Sequence, residues 1–149
     1  MVVYTLRREF KVAKYKNEKA NIDGYSFDSK IEAKYYDKLK MDKYKGLIMN
    51  FELQPRFELM PAFKRHGKSY RKTEYVADFL IYRIDGSQCA IDIKGMPTET
   101  AKLKKKLFEH LHLNDGLELW WLVWSGGQWL DYDYVIKARA KRRRAKNAI

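Results

Sequence analysis

The chain has 149 residues and a formal charge of +12, with 31 Lys and Arg set against 19 Asp and Glu. Such a length is expected to form one domain with a real hydrophobic core, and such a charge favours a polyanionic partner, nucleic acid above all. The single cysteine, Cys89, closes no intramolecular disulfide, the three histidines show no metal-ligand spacing, and no apolar run is long enough to span a membrane.

Residues 1–24 read as a basic, weakly patterned arm, either solvated or in contact with nucleic acid, and "MVVYTLRREF" carries no signal-peptide pattern. A helix is predicted from Ser29 to Lys43, opened by a capping box of Ser29 and Glu32 and ended at Gly46. Ile31, Tyr35, Tyr36 and Leu39 are its expected apolar face. "IMNFELQPRFELM" reads as a strand broken or bent at Pro55, and "AFKRHGKSYRK" as a basic loop. Residues 74–84 and 88–94 read as two strands joined through Asp85, Gly86 and Ser87. A second helix, 99–112, stacks Leu103, Leu107 and Leu111 on its core side. "LELWWLVW" is apolar on both alternating faces, as a central strand is. The last segment looks helical and then simply basic, a tail over 137–149. This order describes a mixed α/β domain with helices packed on a sheet.

The chemistry concentrates in the predicted hairpin "EYVADFLIYRIDGSQCAIDIKG". Asp92 and Lys94 point to one side of their strand because side chains alternate faces. A three-residue loop that pairs Ile84 with Gln88 sets Asp78 opposite Lys94 and diagonal to Asp92; an odd loop or a bulge is therefore expected. Two buried carboxylates repel unless protonated or neutralised. Lys94 can neutralise them in a salt bridge, or a hard divalent cation such as Mg²⁺ or Mn²⁺ can do so. In the second case Lys94 orients or deprotonates a water, or stabilises transition-state charge, in phosphodiester hydrolysis. Glu32 has two readings as well: a helix cap, or a third ligand or base bordering the core-facing stripe.

Assembled, "SKIEA" with Glu32, "VADF" with Asp78 and "IDIKG" with Asp92 and Lys94 resemble the PD-(D/E)xK nuclease superfamily. More closely, "DGYSFDSKIEAKYY", "YVADF", "IDIKG" and "KLKKKLFE" look like small phage proteins related to phage endonuclease I, a Holliday junction resolvase. Ala77 stands where the superfamily has its proline, and Ile91 where related phage sequences often carry an acid, so Asp92 is the only carboxylate of that motif. The resemblance implies a restriction-endonuclease-like mixed sheet flanked by helices with an αβββαβ core. It implies a Mg²⁺ site, with Mn²⁺ substituting, held by Asp78, Asp92, the Ile93 carbonyl and Glu32, and a catalytic Lys94. It also implies an intertwined homodimer acting on branched or four-way DNA in the cytoplasm, the host's if the chain is phage-encoded.

Lys64, Arg65, Lys68, Arg71 and Lys72, and Lys102, Lys105 and Lys106, are expected either to contact phosphates or to be merely solvated, and Arg142, Arg143 and Arg144 to bind DNA or to form a non-specific tether. Trp120, Trp121, Trp124 and Trp129 are expected in the core or a dimer interface rather than stacked on bases. A non-catalytic DNA-binding module on the same fold, or a restriction or transposon-end nuclease, are the competing functions.

Overall fold

The structure, a computed structural model, describes residues 18–148. The mixed α/β class expected from the sequence is the class observed. Among the described residues three helices, α1 (Lys30–Tyr44), α2 (Glu99–Leu111) and α3 (Tyr132–Asn147), accompany eleven short strands. The strands are β1 (Ala20–Ile22), β2 (Tyr25–Phe27), β3 (Asn50–Leu53), β4 (Arg56–Met60), β5 (Phe63–Arg65), β6 (Lys68–Tyr70), β7 (Thr73–Val76), β8 (Phe79–Tyr82), β9 (Gln88–Ile93), β10 (Glu118–Ser125) and β11 (Gln128–Asp131). Five of them form one mixed sheet in the order β11-β10-β9-β8-β3. The chain divides into two compact units.

The first unit holds the residues up to Tyr36, Ile93–Met96, and those from Trp121 onward. Residues 1–17 of the expected basic arm lie outside the described residues, but its end is structured: β1 and β2 pair antiparallel across Asp23 and Gly24. Both turn residues have positive φ, 52° and 81°, the geometry that matches the twist of a two-residue hairpin. Phe27 and Tyr36 pack at 5.0 Å, and the Tyr36 hydroxyl donates to Asp23 at 3.0 Å, fastening this hairpin to the start of α1. β10 pairs with β11 in a second hairpin, with Trp124 opposite Trp129 and their rings 4.9 Å apart. Trp121 is buried, Trp124 and Trp129 are half-buried, and Lys34 lies over the Trp124 ring at 3.6 Å. The basic C-terminal segment is not a tail: α3 runs to Asn147, capped by Asp131, whose carboxylate accepts from the Tyr134 N–H.

The second unit holds Asp37–Asp92 and Pro97–Trp120. Here the strand expected at 48–60 breaks at Pro55, as expected, and the strand expected at 74–84 is also broken in two. β3 pairs with β8, while β4 pairs with β7 in a separate two-stranded sheet. α2 packs on β4 and β7 through Phe108, which is fully buried against Phe57 (5.1 Å) and Tyr75 (5.7 Å). Burying such a ring contributes roughly 1.5–3 kcal/mol. The leucine stack expected on the core side is exposed instead, with Leu103 at 57%, Leu107 at 40% and Leu111 at 50%. The side of α2 that packs inward is instead the one centred on Phe108, its single buried residue. On α1 the buried face is Ala33, Tyr35, Tyr36 and Leu39, and Ile31 is exposed. The expected basic loop is a hairpin, β5 paired with β6.

Candidate active site

Asp78 sits where the long ribbon changes sheets. Pro55 cannot donate to a ladder and Gln54 adopts a positive φ of 50°, so one side of the ribbon breaks there. The other side breaks at Ala77 and Asp78, at the same level. The Ala77 N–H donates to the Pro55 carbonyl (3.1 Å) and the Gln54 N–H to the Asp78 carbonyl (2.9 Å). The Asp78 N–H donates to Ile91 of β9 at 3.0 Å. Both backbone polar groups of Asp78 are thus committed, one to each neighbouring strand, and its half-buried carboxyl is carried on a fixed backbone.

The loop between β8 and β9 has three residues, as the odd-loop expectation requires, but it lies one position earlier. The Arg83 N–H donates to the Ser87 carbonyl (2.9 Å), which leaves Ile84, Asp85 and Gly86 in the loop. The Asp85 carboxylate accepts from the Ser87 N–H (2.9 Å) and hydroxyl (2.6 Å), bonds that lower its pKa. This Asx turn outcompetes the later loop position. Tyr82 accordingly pairs with Gln88 and Phe79 with Ile91. Moving the loop by one residue moves every partner by two. Asp78 therefore lies against Ile91 and Asp92, and the expected position opposite Lys94 is corrected.

Asp92 is 4% exposed, the single buried charged residue among those described. Its Oδ2 accepts a short hydrogen bond from the buried Tyr75 hydroxyl. Tyr75 is the contact that sequence reasoning missed. Its signal was present, a tyrosine three residues before Asp78, but its proximity to Asp92 depends on the break that separates β7 from β8.

Lys94 follows Asp92 by two residues. Its N–H donates to the Leu122 carbonyl (2.9 Å), and its ammonium lies 5.5 Å from the centre of the Trp121 ring, a favourable cation–π placement. Glu32 lies in the first turn of α1 and realises the helix-start reading. Its N–H donates to Ser29 Oγ (3.1 Å), and its Oε1 accepts from the same hydroxyl (3.1 Å). Among the described residues no three His, Cys, Asp or Glu side chains are grouped closely enough to hold an ion together. The donor chemistry of the aspartate pair nevertheless fits Mg²⁺. The ion accepts one or two carboxylates with water in its remaining positions, and no thiolate or imidazole competes here.

The basic residues fall into three groups. Lys64, Arg65 and Lys68 stand on the β5–β6 hairpin with Arg71 just after it, all exposed. Lys72 is bound to Glu74 at 2.7 Å, which raises the lysine pKa and lowers that of the glutamate. On α2, Lys102 pairs with Glu99 (2.8 Å) and Lys105 with Glu109, and Lys106 is exposed. Arg142, Arg143 and Arg144 are exposed on the last turns of α3, where positive charge complements the helix dipole. Among the described residues no helix is long and apolar enough to cross a membrane.

Fold and side chains together define a class: a strongly basic, mixed α/β protein with two neighbouring aspartates, Asp92 on β9 and Asp78 at the break between β7 and β8. The chain belongs to DUF1064, a family described as proteins of unknown function, whose model matches residues 12–127 and so takes in Glu32, Asp78, Asp92 and Lys94. Among curated proteins and among solved structures, nothing matches it.

Proposed function

We propose that this chain is a Mg²⁺-dependent endonuclease acting on branched DNA, in the manner of the phage junction resolvases its motifs resemble. The observation that carries the reading is the placement of Asp78, whose backbone is held on both sides and whose N–H bonds to Ile91, beside Asp92. A protein gains little stability from two neighbouring carboxylates, since their charges repel and Asp92 is buried. A cation-binding role accounts for them better than a structural one.

Asp78 and Asp92 would hold the ion, with the Ile93 carbonyl as a backbone ligand. When bound, the ion supplies Lewis-acid polarisation of a phosphodiester oxygen. Tyr75 fixes the rotamer of Asp92 through Oδ2. Lys94 brings a cation two residues along the strand, suited to steadying negative charge on the reacting phosphate. Glu32, bonded to Ser29, contributes as a further water or metal contact if that hydroxyl releases it. The charge of +12 concentrates the polyanionic substrate.

A competing reading, a DNA-binding module without catalysis, draws on the Tyr75 bond already made to Asp92 and on the absence of a three-carboxylate cluster among the described residues. Labelled four-way junction and matched linear duplex, incubated with Mg²⁺, with Mn²⁺ and with EDTA, separate the two. The nuclease reading expects paired, metal-dependent nicks on the junction, abolished in Asp78→Ala, Asp92→Ala and Lys94→Ala variants that stay folded. Binding without cutting in either metal, or cutting that survives all three substitutions, overturns it.

A further inference from the structure

The β5–β6 hairpin is a structural outlier in its unit. Every residue from 61 to 72 is exposed, and β5 and β6 form a two-stranded sheet joined to no other. Isolated two-stranded hairpins are marginal in water, so this one depends on its own sequence. His66 and Gly67 form its turn with φ of 48° and 74°, the two-residue geometry that suits ribbon twist. Phe63 stands opposite Tyr70, and the rings stack 4.6 Å apart at 6°.

Stability alone does not explain the rest of the hairpin. Arg65 pairs with Lys68 across the ribbon, on the same face as the aromatic pair because cross-strand partners two positions apart share a face. Like charges directly opposite each other destabilise a hairpin. From Met60 to Lys72 there is no acidic residue. Among the described residues no carboxylate pairs with Lys64, Arg65, Lys68 or Arg71, whereas Lys72 is bound to Glu74. The face therefore joins a stacked aromatic pair, each residue 40% exposed, to an opposed pair of cations with no internal counterion. Lys68 also reaches over Tyr70, 5.1 Å from the ring centre.

We infer that this hairpin is a finger for unpaired nucleic acid, bases packing against Phe63 and Tyr70 and phosphates lying on Arg65 and Lys68. Aromatic side chains beside cations bind single strands because every base has a π-face and every nucleotide a phosphate. A flap exposes unpaired bases, and the open centre of a metal-free four-way junction leaves the faces of its innermost base pairs unstacked, so such a finger selects branched over linear DNA. The inference deepens the nuclease reading and rests on it for the choice of DNA as the polyanion.

The test measures binding, without metal, by fluorescence anisotropy of a labelled single strand, its duplex and a four-way junction in EDTA. Phe63→Ala/Tyr70→Ala is expected to weaken single-strand and junction binding about tenfold or more, with duplex affinity nearly kept. Phe63→Leu/Tyr70→Leu keeps an apolar cross-strand pair without the π-faces, and should show the same loss even if the alanine variant frays the ribbon. Arg65→Gln/Lys68→Gln should weaken all three and flatten the logarithmic salt dependence by roughly two phosphate contacts. If the leucine variant binds single strands as the parent does, loses single strand and duplex equally, or if the parent binds none of the three, the inference is overturned. Cutting in Mg²⁺ is scored separately. Normal binding by the leucine variant alongside cutting that needs Asp92 removes the finger and leaves the nuclease. Lost single-strand preference in a protein that no metal makes cut removes the nuclease and leaves the finger.

Discussion

Asp92 shows how much one residue's setting depends on another far away in sequence. A carboxylate 4% exposed requires a donor, and the Tyr75 hydroxyl provides one from 17 positions upstream. Tyr75→Phe leaves that oxygen without its donor, so a loss of about 1–3 kcal/mol is expected. At this chain length that is a fall in Tm of roughly 2–4 °C for each kcal/mol, read in a thermal melt. An unchanged Tm would mean the hydroxyl contributes nothing to folding. Cys89 is the second residue whose surroundings set its chemistry. Burial pushes its thiol up to about 11. In the native state it should resist alkylation at pH 8 and react once the chain is denatured. Because the native thiol holds its proton more tightly than the unfolded one, its contribution to stability is complete below the ordinary thiol pKa and is lost as pH rises through 11. A urea midpoint that stays flat between pH 8 and 10.5 would contradict this.

At the scale of elements, α2 is the instructive case. Its leucines repeat at i, i+4 and i+8, a pattern that reads as a core stripe, yet they face solvent while Phe108 is buried beside them. Leu107→Ala should therefore cost no more than about 0.5 kcal/mol, a surface-substitution effect. Phe108→Ala, which empties the space between Phe57 and Tyr75, should cost about 3–5 kcal/mol. Denaturant titration of both variants checks the assignment, and similar losses would reverse it. The helix ends, in contrast, were legible because caps are local. Ser29 accepts from the Glu32 N–H, and beyond Gly46 the Leu47 N–H returns to the Asp42 carbonyl at 2.9 Å. The observed α1, Lys30–Tyr44, differs from the expected helix by one residue at each end. Strands were harder. The strand at 74–84, which looks continuous, is split between sheets at the level where Pro55 breaks its neighbour, and the hairpin within "AFKRHGKSYRK" looks like a loop because its exposed strands lack a core-facing alternation.

For the molecule as a whole, the +12 charge is the property most directly available to experiment. Binding to any DNA should weaken steeply with salt, with log affinity falling linearly against log salt concentration. A shallow slope would show that the basic residues on the hairpin, α2 and α3 mostly serve as solvated faces. Composition and short-range pattern by themselves determined the mixed α/β class, the helix positions, the odd loop, and the placement of Asp92 and Lys94 two residues apart. Each of these follows from caps, turn chemistry and strand period, which act within a few residues. Only the tertiary structure decided that Asp78 lies beside Ile91 and Asp92, that Tyr75 reaches Asp92, and which side of α2 is buried. Those outcomes depend on which backbone groups and apolar faces find one another across long stretches of chain, where a one-residue change in a turn moves every partner by two.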